Sequence, residues 1–167
     1  MATAQFLTEM TAERDHLELS LGDTLDVKAG ILLAVITILG SLTAALITTP
    51  NLSKGLSIAQ MASLGLLVVG CVFAILALFP RNYLLPNLPS KYAEWAEKLQ
   101  QYYERPEEAE AQATQDLTRV ANQRIERNHK LNSAKSRYLH LSFWPTLLAL
   151  AIDIGTLGYL GALKILS

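Results

Sequence analysis

Charge is missing from long stretches of this chain, and that constrains its fold more than any motif. Residues 29–47 and 55–79 carry no charged side chain, and residues 142–163 carry only Asp153. Each stretch is close to the ~20 residues that cross about 30 Å of hydrocarbon at ~1.5 Å per residue. In hydrocarbon a segment must satisfy its own backbone hydrogen bonds, so each is expected to be a helix. The expected spans are Ala29–Ile47, about Ser57–Phe79 and about Ser142–Ile165. The composition agrees: 51% of the 167 residues are hydrophobic, high for a soluble domain. Nearly all charge lies in residues 9–28 and 81–137, and no useful strand-period alternation appears. These features predict an all-α membrane protein. It has three transmembrane helices, an N-terminal cytoplasmic helix, and a cytoplasmic helical insert between spans 2 and 3.

Four regions follow: 1–28, 29–79, 80–141 and 142–167. The connection 49–56 is short, so the first two spans form a hairpin. Residues 1–27 are polar and acidic, unlike the short basic start of a secretory signal, so no cleavable signal is expected. Apart from Lys54 and Lys164, every Lys and Arg falls on the side that holds residues 1–28 and 80–141. Arg81, Lys135 and Arg137 lie beside the membrane ends, where basic residues mark the cytoplasmic face. The N-terminus and residues 80–141 are therefore read as cytoplasmic and the C-terminus as lying outside.

Between Asp23 and Gly40 no proline or turn cluster separates charged from apolar sequence. Leu7, Met10, Leu17, Leu21, Leu25 and Ile31 fall on one loosely amphipathic face, so one helix is expected from about residue 5 to 47. The insert opens with three prolines and two asparagines in 80–90, an irregular connector. Ser90 suits an N-cap for a helix over 91–104, with Tyr92, Trp95, Leu99 and Tyr102 on one stripe. Pro106 starts a further helix with Glu107, Glu108 and Glu110 near its positive end. Leu117, Ala121, Arg124, Asn128, Leu131, Lys135 and Tyr138 make an unusually polar inner stripe. Nothing breaks that helix before Pro145, so it is read as running over 107–165. Two such rods would couple a cytoplasmic bundle rigidly to the membrane spans.

No catalytic constellation is present: there is no phosphate loop, no nucleophile motif, and no metal spacing among His16, His129 and His140. An enzyme is not expected, and no cofactor or metal is implied. The histidines read as solvated helix residues, with His140 beside Trp144 and Tyr138 as an interfacial anchor. The single cysteine, Cys71, lies in an apolar run and excludes a disulfide framework. Asp153 is the sharpest residue, because a carboxylate mid-span costs ~2.5–3.5 kcal/mol. Either it faces a water-filled path or a neighbouring helix and lines a cation pore, or it is a protonated carboxyl bonded to a backbone or hydroxyl group. Thr37, Ser41, Ala44 and Thr48 share one face of the first span, read either as a pore lining or as helix packing through small hydroxyl residues. Gly155, Gly158 and Gly161, with Gly65 and Gly70, favour close helix contact. Arg119, Gln123, Arg127 and Lys130 form a basic-polar face. Such a face suits phosphates of a nucleotide or oligonucleotide, or is simply a solvated surface.

Three motifs resemble a known family. Asp26-Val27-Lys28-Ala29 runs into Ile31-Leu32-Leu33-Ala34, Phe79-Pro80-Arg81 closes the hairpin, and Asn132, Lys135 and Tyr138-Leu139 precede the last span. The pattern is similar to the transmembrane effectors of bacterial anti-phage Pycsar systems and to the related SLATT effectors, over roughly residues 20–165. The resemblance implies an effector that oligomerises in the inner membrane and damages it after phage infection. It implies a cyclic-nucleotide signal, or, in the sister arrangement of Hailong type, an oligodeoxynucleotide or the synthesising enzyme that holds the channel shut. The chain departs from the separate-sensor plan, since no additional globular nucleotide-binding domain is expected.

The leading expectation is an oligomer, such as a tetramer, in the bacterial inner membrane. Thr37, Ser41, Thr48 and Asp153 would line its pore. Arg119, Gln123, Arg127 and Lys130 would receive a cyclic nucleotide, an oligonucleotide, or the enzyme that makes it. The rival expectation is a non-conducting membrane adaptor that oligomerises and docks a cytoplasmic protein.

Overall fold

A computed structural model describes residues 2–50, 52–79, 81–86 and 89–166, with 2–8, 89–90, 92–93, 96 and 166 described by backbone alone. Four helices follow in chain order: α1 (Ala2–Ile47), α2 (Lys54–Leu78), α3 (Pro89–Tyr102) and α4 (Pro106–Leu166). No strand occurs among the described residues. Segments of α1, α2 and α4 are long and apolar enough to cross a membrane.

The helix ends follow local chemistry. The Ser53 hydroxyl accepts from the Leu56 amide and caps α2, so Lys54 and Gly55, read from sequence as loop, belong to the first turn. Proline opens both α3 and α4, where its missing amide hydrogen costs nothing. The capping side chain expected at Ser90 lies outside the described residues, as do Asn51, Pro80 and the side chains of Leu7 and Tyr92. On α3, Trp95 and Leu99 are half-buried but Tyr102 is exposed, so the expected stripe stops one turn early. α4 continues through Pro145 and forgoes one backbone bond there, to the Leu141 carbonyl.

The described chain divides into two compact units. One holds residues 1–23 and 81–133, the other 24–80 and 134–167. α1 and α4 each contribute to both, without a break in helix.

In the second unit the three apolar helices meet around Ile36, Leu39, Leu67, Ala74 and Ala149. Their outward side chains, among them Ile31, Ile38, Ile58, Val68 and Ile154, are exposed. A soluble protein rarely tolerates such a continuous apolar surface, whereas hydrocarbon solvates it. Gly70 lets α2 and α4 approach: a Cβ there would lie 2.7 Å from Thr146 Oγ1 and 3.3 Å from the Ser142 carbonyl.

Among its described residues the first unit has few buried apolar side chains. Ala109 and Ile125 are buried, but much of the interior is polar. Asn128 clamps the connector, accepting from the Leu84 amide and donating to the Leu84 carbonyl, each at 3.1 Å. Asn132 donates to the Glu18 carbonyl at 2.7 Å and to Glu18 Oε2 at 2.9 Å, while Tyr83 donates to Asn132 Oδ1 at 2.7 Å. Arg124 reaches Asp15 at 2.8 Å. The polarity of the inner α4 stripe thus serves packing, since its amides and guanidinium answer acids and backbone on other elements.

Candidate functional site

Among the described residues, four groups of polar contacts cross the helices of the membrane unit. At the centre is Asp153 on α4, fully buried. Its Oδ2 accepts from the Thr43 hydroxyl on α1 at 2.8 Å, and its Oδ1 from the Ser63 hydroxyl on α2 at 2.9 Å. One carboxyl therefore joins all three spans. About one turn away on both helices, Gln60 of α2 donates to Thr156 of α4 at 2.7 Å. Further along, Ser142 donates to the Gly70 carbonyl at 2.7 Å, across the gap that only glycine leaves open.

Magnitudes place the Asp153 layer near balance. A mid-span carboxylate costs ~2.5–3.5 kcal/mol. Interhelical hydrogen bonds in membranes return ~0.6–1.7 kcal/mol each. Two such bonds offset a large part of the cost and leave little surplus. The layer specifies which helices meet, more than it strengthens the bundle.

The other expected lining residues lie elsewhere. Thr37 and Ser41 are on the exposed side of α1, away from Thr43, and Thr48, just past its last residue, is exposed too. Each hydroxyl donates back to its own helix: Thr37 to the Leu33 carbonyl at 2.9 Å, Ser41 to that of Thr37 at 3.0 Å, Thr48 to that of Ala45 at 2.9 Å. Within one chain they are not brought together with Asp153. Gly155, Gly158 and Gly161 are also exposed, with nothing near their missing side chains.

In the other unit, Arg119, Gln123, Arg127 and Lys130 share one exposed face of α4. Two of these cations have acidic neighbours on the same helix: Arg119 meets Asp116 at 3.0 Å and Lys130 meets Glu126 at 2.7 Å. The bond from Lys130 and its charge hold the Glu126 carboxyl below the usual carboxylate range. An incoming anion would compete with these carboxylates, so Arg127 and Gln123 offer the more open positions. His129, exposed, meets Glu18 at 3.0 Å.

A fourth contact lies in the membrane unit. Lys135, its side chain 3% exposed, is held by both oxygens of Asp26 at 2.6 and 2.8 Å. Tyr138, one turn on, stacks on Phe73 with ring centres 6.5 Å apart. The first and last motifs read in the sequence therefore meet in space.

The family model of the Pycsar effector protein domain matches residues 9–162. The chain belongs to this family. No curated protein and no solved structure matches it. This Pycsar effector is a membrane protein of anti-phage defence. The matched region takes in Asp26, Lys135 and the Asp153 layer.

Single-residue reading of this Pycsar effector found Asp153 but not its partners. Gln60 is the one amide of the second span, and its three-residue offset from Ser63 repeats that of Asp153 and Thr156. That matched spacing was the available signal. No comparable signal pairs Asp26 with Lys135, because they are 109 positions apart.

Proposed function

We propose that this Pycsar effector forms a homo-oligomeric pore or ion channel in the bacterial inner membrane. Its N-terminus and residues 80–141 face the cytoplasm and its C-terminus the periplasm. A nucleotide-type signal, or the enzyme that makes it, acts on the cytoplasmic helices and thereby gates the spans. The chain carries out no catalysis. Its action is to dissipate the membrane potential of an infected cell.

The observation that carries this reading is the carboxyl of Asp153. Ionisable groups inside spans are costly and mark ion paths or helix partners. Here the carboxyl sits at the meeting point of all three spans and is held by two hydroxyls. The exposed hydroxyl face of Thr37, Ser41 and Thr48 supports a role between subunits, since its donors are satisfied and present no cost to close packing. The exposed Arg127 and Gln123 support contact with an anionic signal. A signal can shift the gate only by binding the open and closed forms unequally.

The test is expression in bacteria with a potential-sensitive dye, with and without phage. Depolarisation after infection, lost in Thr37→Leu at equal membrane abundance, supports the pore. A potential that never changes, with subunits still associated, favours the non-conducting adaptor instead.

A further inference from the structure

The inward-facing polar groups have a feature that a purely structural seam does not need. Thr43 Oγ1 lies 2.8 Å from Asp153 Oδ2 and also 2.8 Å from the Leu39 carbonyl of its own helix. Its one proton can serve either oxygen. If Asp153 leaves, the Thr43 hydroxyl keeps a full bond within α1, the same bond that Thr37 and Ser41 already make on the exposed side. Ser63 Oγ has a longer alternative, the Ala149 carbonyl at 3.3 Å. Thr43 can therefore release Asp153 without stranding its donor, while Ser63 can pass its proton to a backbone carbonyl of α4.

A second observation points the same way. Gln60, fully buried one turn from Ser63, has an Oε1 with no hydrogen-bond partner among the described residues. A buried amide oxygen left open is uncommon in a settled interior. The arrangement seen leaves that acceptor unfilled.

We propose that the Thr43–Asp153–Ser63 layer is a latch that holds the three spans in a non-conducting arrangement, and that the chain conducts only once Asp153 has left it. Each oxygen of the carboxyl holds a different helix, so releasing Asp153 removes its bonds to α1 and α2 in one step. The latch rests on the channel reading and names how that channel is kept shut. It also reverses the sign of an obvious expectation, because removing the hydroxyls should open the chain, not silence it.

The experiment uses the full chain in membranes, with Cys71→Ser removing the native thiol and Leu67→Cys placing one in the buried core between the spans. Labelling by N-ethylmaleimide reports loosening of the bundle, and a potential-sensitive dye reports conduction. Thr43→Val with Ser63→Ala should label at least tenfold faster than the parent and depolarise uninfected cells. Asp153→Asn should stay slow and silent, since its amide can still donate to Thr43 and accept from Ser63. If the double variant is missing from the membrane fraction, Thr43→Val alone carries the test, with a smaller rise expected. Faster labelling with the potential intact supports the latch and counts against the channel. Unchanged labelling overturns the latch whatever the potential does, and so does fast labelling of Asp153→Asn.

Discussion

Asp26→Asn removes the carboxylate from a lysine that has almost no access to water. Lys135 is 3% exposed at its side chain and Asp26 42%. Breaking a fully buried pair by deleting one partner costs ~3–5 kcal/mol, because the remaining charge is left uncompensated. Water reaches the Asp26 side of this pair, so the figure is discounted to about 2–3 kcal/mol. At ~2–4 °C per kcal/mol for a chain of this size, the midpoint should fall by roughly 5–10 °C. Lys135→Met should behave differently. It removes the buried charge and keeps a long apolar stem, so the loss should stay below about 1 kcal/mol. Combining the two substitutions should restore most of the stability lost in Asp26→Asn alone. The assay is thermal unfolding of the detergent-purified chain for the two single variants and the double. Equal losses in the single variants, or additive losses in the double, would refute the claim that desolvation of Lys135 dominates this contact.

Other consequences can be checked on the same preparations. Gly70→Ala places a Cβ 2.7 Å from Thr146 Oγ1 and 3.3 Å from the Ser142 carbonyl; it should cost ~1–3 kcal/mol through overpacking, read as a lower midpoint. Asn128→Ala strips both partners from the Leu84 backbone; it should cost ~1–3 kcal/mol and speed hydrogen exchange locally over 81–86. Arg127→Glu lies on an exposed face; it should leave stability within about 0.5 kcal/mol, yet abolish retention of any nucleotide that co-purifies from infected cells, read by mass spectrometry.

What the sequence disclosed depended on whether a feature is local. The length of α1 could be read because nothing between Asp23 and Gly40 can stop a helix, and the helix indeed runs from Ala2 to Ile47. The start of α2 was placed too late because a lysine and a glycine resemble a loop, while the Ser53 cap that pulls them into the helix acts through one side-chain bond. Asp153 stood out because a charge in an apolar run is conspicuous, but Thr43 and Ser63 are ordinary residues until the helices face one another. The polar α4 stripe looked poorly suited to packing for the same reason. Arg124 and Asn128 find partners in Asp15 and in the Leu84 backbone, distant in sequence and adjacent only in the fold. The basic face was legible as composition, whereas its same-helix pairing with Asp116 and Glu126 shows how much of its charge is already answered.

The central claim is that the chain conducts, and purified protein in potassium-loaded liposomes tests it most directly. With no other protein present, the account predicts potassium efflux for Thr43→Val with Ser63→Ala, and far less for the parent chain. Vesicles that hold their gradient with parent and variant alike, at verified protein content, would contradict it.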